Sequence, residues 1–167
     1  MRILADSGIL LRLFEPGDPR TDAVLQAIAA LKIRGDSLVT AAQNVAEFWN
    51  VCTRPATARG GFGLSFLVAE QRLQRVERGF KLLPELPTTY AIWGDLIVAH
   101  QVQGKQVHDA RLAALMLSHG VTHVVTPQRP RLHPLPWPHG DRPADLRGDA
   151  VTSGPPQPPP TTPESLP

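Results

Sequence analysis

Residues 2–13, RILADSGILLRL, decide the fold class, because they place an acidic residue between a strand and a helix. Arg2–Ala5 is a short apolar run, typical of a buried strand, and Asp6 follows it directly. Ser7–Leu13 has the pattern of a short helix, which the turn residues Glu15–Pro19 end. In α/β sheets, ligands bind beyond the carboxyl ends of the strands. Asp6 is therefore a candidate functional residue.

The rest of the chain continues this alternation of strands and helices. Further strands are predicted at 37–40, 80–86 and 121–125, and helices at 22–33, 42–53, 65–78, 88–102 and 108–119. Asp18 or Thr21 is expected to cap the helix over 22–33. Strands that alternate with helices need crossover connections. The pattern predicts an α/β fold with a mainly parallel central sheet and helices on both faces.

Length and charge restrict the class of protein. The chain has 167 residues, enough for one domain with a substantial core. Residues 1–126 carry 13 Lys and Arg against 11 Asp and Glu, so contact with a polyanion must be local or metal-mediated. Cys52 is the single cysteine, which suits a reducing compartment. No segment resembles a signal peptide or a membrane span, and we expect a cytoplasmic protein.

The composition changes sharply near the end of the chain. Thirteen of the 18 prolines lie from Pro127 onward. Proline lacks the backbone N–H and has a fixed φ, so this segment is not expected to form a helix or a central strand. We expect a folded domain over residues 1–126 and a Pro-rich, disordered C-terminal tail over 127–167.

Three carboxylates are expected to lie near the same edge of the predicted sheet. Asp6 ends the first strand, Glu47 lies on the helix after the second strand, and Asp109 lies in the first turn of the helix before the last strand. Converging carboxylates suit hard divalent ions such as Mg²⁺ or Mn²⁺. Two of them also have a simpler interpretation, in which Asp6 merely caps a helix and Asp109 merely interacts with a helix dipole, whereas Glu47 has none, because Phe48 and Trp49 beside it suggest a partly buried segment.

Four segments together resemble the PIN domain and, within it, the VapC-type toxins of bacterial toxin–antitoxin systems. They are LADSGILLRL, QNVAEFWNVCTRP, WGDLIVAHQVQGKQVHDARLAALMLSHGV and THVVT. The resemblance implies a three-layer α/β/α fold and a metal-dependent endoribonuclease. It also implies that Asp6, Glu47 and Asp109 are the catalytic acids and ligands of Mg²⁺ or Mn²⁺, with Ser7 and Thr126 as supporting residues.

The same resemblance implies partners. A toxin of this type hydrolyses phosphodiester bonds of an RNA substrate, binds a cognate antitoxin protein and forms a homodimer. Asp95 is also acidic, but it matches none of the catalytic positions of the family and is interpreted as a solvated helix residue.

The chain departs from the family directly after the last predicted strand. The family pattern is Thr-x-Asn-x-x-Asp-Phe, in which the Asp supplies a fourth acid. Thr126 fits this pattern, whereas Gln128 stands in the place of Asn, Arg131 in that of Asp and Leu132 in that of Phe. A cation in place of a carboxylate reverses the local field, so we expect weaker metal binding.

A shift of reading frame explains this departure. TPQRPRLHPLPWPHGDRP, from Thr126 onward, can be encoded so that deletion of one C gives TPNAPDFTRYPGLTVIDP, which restores Asn, Asp and Phe. We therefore expect that residues from about Gln128 onward are translated out of frame. The alternative is a genuine proline-rich tail, such as a polyproline II ligand.

Two other functions stay open. A catalytically impaired PIN remnant could bind an antitoxin or RNA without cleavage. A phosphorylatable receiver domain has a similar alternation of strands and helices. However, the chain lacks the adjacent acidic pair after the first strand and the Lys after the last strand that a receiver domain needs.

Overall fold

A single sheet forms the centre of the molecule. The computed structural model describes residues 1–15 and 19–127 and the backbone of 132–134. Within this part, the sheet has the strand order β3-β2-β1-β4-β5. The strands are β1 (Arg2–Ala5), β2 (Ser37–Ala41), β3 (Lys81–Leu83), β4 (His123–Val125) and β5 (Leu132–Pro134). β1 to β4 pair in parallel and β5 pairs antiparallel with β4, so the prediction of a mainly parallel sheet is confirmed.

Helices connect these strands. They are α1 (Ser7–Arg12), α2 (Pro19–Ile33), α3 (Ala42–Thr53), α4 (Phe66–Gly79), α5 (Pro87–Ala99) and α6 (Gln106–Ser118). The bounds of α3 are those predicted, and Ser65, predicted as the first residue of its helix, is the N-cap of α4. The prediction of Thr21 as a cap is wrong, because Thr21 lies inside α2 and donates its hydroxyl to the carbonyls of Arg12 and Glu15. Asp18, the other predicted cap, lies outside the described residues.

The core has two sides, one on each face of the sheet. Alternate residues of a strand point to opposite faces. Ile3 accordingly packs with residues of α1 to α4, among them the fully buried Phe48. Leu4 packs on the other face with α6, where Met116 is fully buried. α5 packs against α6. These three layers confirm the predicted α/β/α architecture.

The strand register places the carboxyl ends of the central strands side by side. Ala5, the last residue of β1, pairs with Val125, the last residue of β4. β2 ends at Ala41, and α3 begins at the next residue without a loop. The segments that leave β1, β2 and β4 therefore start at a common edge of the sheet, which is called the carboxyl edge below.

Two elements near the end of the chain differ from the prediction. The predicted strand over 80–86 is confined to Lys81–Leu83, because Pro84 has no N–H with which to continue a ladder. β5 was not predicted, and its three residues lie in the segment assigned to the tail. Its antiparallel pairing with β4 extends the sheet by one strand. The rest of the predicted tail lies outside the described residues, apart from Pro127.

In the part of the chain that the structure describes, no helix combines the length and the apolar composition that crossing a bilayer requires.

Candidate active site

Asp6 lies at the carboxyl edge, between β1 and α1. Its Oδ1 accepts a hydrogen bond of 2.8 Å from the backbone N–H of Ile9, so Asp6 is the N-cap of α1. Burial raises the pKa of Asp6 from 3.8 to about 6, and the nearby charge of Glu47 raises it as well, whereas hydrogen bonds from Ile9 and Gly8 lower it. Capping therefore does not account for this carboxylate by itself, because its environment disfavours the charged form.

The backbone in front of Asp6 is held by two buried side chains. Asn44 Nδ2 donates to the carbonyl of Ala5 at 3.0 Å, and Thr40 Oγ1 donates to the same oxygen at 3.2 Å. Both side chains are almost fully buried. Since these bonds join the end of β1 to the end of β2 and the start of α3, they fix the point from which Asp6 projects.

Glu47 lies beside Asp6, on the second turn of α3. The hydroxyl of Ser7, the first residue of α1, donates to Glu47 Oε2 at 2.7 Å. Because Ser7 follows Asp6 directly, this bond holds Glu47 near Asp6, and the charge of Glu47 raises the pKa of Asp6. The structure thus brings together Asp6, Ser7 and Glu47, which come from two helices that start at the same edge of the sheet.

Asp109 lies in the first turn of α6 and is exposed. Its segment is connected to Glu47 through Gln43, whose Nε2 lies 3.2 Å from Glu47 Oε1 and 3.3 Å from the carbonyl oxygen of His108. His108 is the residue before Asp109, so the start of α6 faces the start of α3. No ligand-like role is visible for the His108 ring, which is exposed as expected for a polar residue at a helix start.

The three acids do not form a common ligand set in this conformation. Among the residues that the structure describes, no three His, Cys, Asp or Glu side chains are placed so that they could hold one metal ion. The arrangement is therefore a close Asp6–Glu47 pair with Asp109 nearby on α6. Asp109 is exposed, so its side chain can change rotamer without repacking the core.

The chain after β4 passes directly over α1. Thr126 follows β4 and is half-buried, and the N–H of Asp6 donates to the carbonyl of Val125 at 3.4 Å. A Cβ built on Gly8 would lie 2.7 Å from Cγ of Pro127 and 3.3 Å from Oδ1 of Asp6. The chain that follows β4 therefore leaves the sheet next to Asp6. Arg131, which the resemblance aligns with a fourth acid, lies outside the described residues.

This close approach gives a prediction for Gly8→Ala. The new methyl group would overlap the ring of Pro127, which cannot bend away as a flexible side chain could. We expect a loss of about 1–3 kcal/mol in the free energy of unfolding, measured with urea. Gly94→Ala on α5 is the control, because a Cβ there meets nothing within 4 Å and alanine favours a helix by up to about 1 kcal/mol. Equal stability of the two variants would contradict the placement of Pro127.

The sequence prediction missed Gln43 and Asn44. Gln43 lies four residues before Glu47, on the same face of α3, which is the spacing of side chains that interact on a helix. That spacing could have identified Gln43. Asn44 is buried within an otherwise apolar face, and a polar residue there signals a hydrogen bond to the backbone. Its partner, the carbonyl of Ala5, depends on the strand register and is not visible in the sequence.

A large cavity in the described part lies elsewhere. It has a volume of about 830 Å³ and is bounded by β2, β3, α3 and α4, with Trp49 and Phe80 among its mostly apolar lining residues. It is lined by none of the three predicted acids. The candidate site is therefore the acidic edge, and this cavity does not belong to it.

Comparisons with known proteins agree with this architecture. The family model of the PIN domain matches residues 3–127, so the chain belongs to the PIN domain family. Its fold is similar to the crystal structure of VapC20 from Mycobacterium tuberculosis, described as a sarcin-ricin loop cleaving toxin. The TM-score is 0.53, with 17% identity, over 74% of this chain and 88% of that chain. At this identity the likeness concerns the fold. No curated protein matches the chain.

Proposed function

We propose that this protein is a metal-dependent endoribonuclease that hydrolyses phosphodiester bonds in RNA. Asp6, Glu47 and Asp109 are the proposed catalytic acids and ligands of Mg²⁺ or Mn²⁺. PIN domains are nucleases as a class, which supports the reaction type. The observation that carries the proposal is the Asp6–Glu47 pair at the carboxyl edge of the sheet, in which the pKa of Asp6 is raised to about 6.

The described residues fit a divalent cation. Two carboxylates lie close together, and burial and the charge of Glu47 disfavour the negative charge of Asp6. The amide oxygen of Gln43 beside them is buried and has no hydrogen-bond partner among the described residues. All of these groups are oxygen donors, which is the ligand type that Mg²⁺ and Mn²⁺ prefer. A cation would relieve the repulsion and satisfy the free oxygen.

The residues of the chain have separate roles in this proposal. Asp6 and Glu47 bind the ion from one side and Asp109 from α6. Ser7 orients Glu47 through its hydroxyl, and Asn44 holds the backbone in front of Asp6. When bound, a divalent ion neutralises phosphate charge and lowers the pKa of a water molecule. Below a pH of about 6, a proton competes with the ion for Asp6.

We extend the proposal to the biological setting. The fold of VapC20, a toxin that cleaves the sarcin-ricin loop, supports a role as the toxin of a type II toxin–antitoxin system. In that role the partners are an RNA substrate and a cognate antitoxin, the active form is a homodimer, and the location is the cytoplasm. Thr126 is proposed as a supporting residue because it leads the chain from β4 toward Asp6.

The missing fourth acid supports a second candidate. With Arg131 in place of the family Asp, and without a common ligand set among the described acids, this chain could be an impaired PIN remnant that binds RNA or antitoxin without cleavage. We propose that the loss arises from one extra C in the encoding DNA between Thr126 and Arg131. Resequencing of that stretch is expected to show one C fewer. If resequencing instead confirms the extra C, the proline-rich segment is a genuine part of the protein.

The enzyme proposal is tested by incubating the purified chain with a long single-stranded RNA in Mn²⁺, in Mg²⁺ and in EDTA. We expect cleavage only with a divalent ion, and restoration of cleavage when Mn²⁺ is added after EDTA. The frame-corrected chain is assayed in parallel, because it carries the complete set of acids. If neither chain cleaves RNA with either ion, the enzyme proposal is wrong. Cleavage by the corrected chain alone would favour the impaired remnant for this chain.

A further inference from the structure

Gln43 connects the two helices that carry Glu47 and Asp109. It is the second residue of α3 (Ala42–Thr53), and its amide nitrogen lies 3.2 Å from Glu47 Oε1 and 3.3 Å from the carbonyl oxygen of His108. The carbonyl oxygen of His108 has no proton to donate, and neither has the carboxylate of Glu47 when it is ionised. Both oxygens therefore act as hydrogen-bond acceptors. The orientation of the amide is therefore determined, because the reverse orientation would place its oxygen against two acceptors.

The amide oxygen of Gln43 is left without a donor. It is buried, and no hydrogen-bond partner is found for it in the described part of the chain. A buried acceptor without a partner costs about 1–3 kcal/mol. The polar groups that surround this amide, Glu47 and the His108 carbonyl, are themselves acceptors. Nothing in the described part of the chain satisfies this oxygen, whereas a bound cation or its hydrating water would.

We propose that Gln43 is a positioning residue of the metal site. Its N–H groups hold Glu47 and the start of α6 at a fixed separation, so that Asp109 faces the Asp6–Glu47 pair, and its free oxygen is satisfied by the ion or by water that hydrates the ion. This inference rests on the proposed function, since it assumes that the three acids bind a divalent ion. It assigns a fourth oxygen group, a neutral one, to the site.

A neutral amide suits this place better than a charged side chain. A third carboxylate beside Asp6 and Glu47 would increase the repulsion between their negative charges. A Lys or Arg would pair with the acids and compete with the ion. The amide donates to Glu47 without adding charge, and its oxygen remains available.

Loss of a purely structural residue would lower the stability of the metal-free protein. Loss of a metal-positioning residue would instead lower the affinity for the ion. In the metal-free protein, Gln43→Met removes two long hydrogen bonds but also removes the unsatisfied oxygen, so these effects oppose each other. The stability without metal is therefore expected to change little. In the presence of the ion, the variant loses both the separation of the helices and the free oxygen, so the affinity for the ion is expected to fall.

The test uses the full chain as wild type, Gln43→Met and the control Gln74→Met, which alters an exposed glutamine on α4. Mn²⁺ binding is measured by electron paramagnetic resonance, and thermal melts are recorded in EDTA and in saturating Mn²⁺. We expect Gln43→Met to weaken Mn²⁺ binding by about tenfold or more, as for other residues that orient metal ligands, with a smaller Mn²⁺-induced rise in Tm. In EDTA, the melts of the three proteins are expected to coincide within about 2 °C.

Three results would overturn the inference. Equal Mn²⁺ affinity of Gln43→Met and wild type would show that Gln43 does not act on the metal site. A lower Tm in EDTA with an unchanged Mn²⁺-induced rise would make Gln43 a structural tether only. Absence of Mn²⁺ binding by the wild type would overturn the proposed function together with this inference. The other two results overturn only the role of Gln43, because in both of them the wild type binds Mn²⁺.

Discussion

Asp6→Asn is expected to abolish metal-dependent cleavage of RNA and, without metal, to make the protein more stable at neutral pH. Loss of a charged ligand removes several kcal/mol of stabilisation from the ion, so cleavage should fall by roughly 10³-fold or more. The gain in stability has a separate cause. Asn still accepts the hydrogen bond from Ile9 that caps α1, but it carries no charge to be buried.

The direction of the stability change follows from the pKa of Asp6, which rises from 3.8 to about 6 on folding. The native state holds this proton more tightly than the unfolded state does. The favourable contribution of protonated Asp6 is therefore present below about pH 4 and is lost as the pH rises to about 6. Above pH 6 the charged carboxylate costs roughly 2–3 kcal/mol. Removing the charge should raise Tm at pH 7.5 by about 5–10 °C and have little effect at pH 4.

Thermal melts in EDTA at pH 4 and 7.5 measure this effect, and Asp95→Asn is the matched control. Asp95 is exposed on α5, so the same chemical change there should leave both Tm and cleavage unaltered. If Asp6→Asn is less stable than the wild type at pH 7.5 without metal, burial does not disfavour this carboxylate. Full cleavage by Asp6→Asn would remove Asp6 from the ligand set.

Arg131→Asp is expected to increase both the affinity for Mn²⁺ and the rate of RNA cleavage. The substitution replaces a cation by a carboxylate at the place where the PIN pattern carries its fourth acid. The structure brings Pro127, four residues earlier in the chain, into contact range of Gly8 beside Asp6. An added anion near the ion is expected to strengthen Mn²⁺ binding by about tenfold, or about 1.4 kcal/mol.

Arg129→Asp controls for the change in net charge, since it alters the same charge two residues earlier. Mn²⁺ titration and initial cleavage rates of the two variants separate a ligand effect from a general electrostatic one. The proposal holds if Arg131→Asp alone binds Mn²⁺ more tightly. Equal effects of the two substitutions would mean that position 131 does not reach the metal site, and the frame-corrected chain would then gain no advantage from its Asp.

Much of the fold could be predicted because local signals coincide with the tertiary structure. The apolar run before Asp6 forms β1, and Arg54-Pro55 ends α3 at the predicted residue. α5 begins at Pro87, earlier than predicted, because proline is well tolerated in the first turn of a helix. β5 could not be predicted, since three residues of an edge strand next to prolines gain their pairing from β4 alone.

The acids of the candidate site and its supporting Ser7 could be predicted, whereas the contacts of Gln43 and Asn44 could not. Spacing along the chain placed Asp6, Glu47 and Asp109 near one edge of a sheet, and the structure brings the first two together. The hydrogen bonds of Gln43 and Asn44 depend on which helix faces which strand end. Such contacts are long-range consequences of the packing. A single sequence marks them only as polar residues on a partly buried helix.

The most direct test of the account is an anomalous difference map from a crystal of the protein soaked in Mn²⁺. The account predicts a strong peak at the carboxyl edge of the sheet, with oxygens of Asp6, Glu47 and Asp109 at about 2.0–2.4 Å from the ion. Density that joins all three acids to one ion would establish the proposed metal site. A crystal at saturating Mn²⁺ with no peak there, or with its ion on other residues, would contradict it.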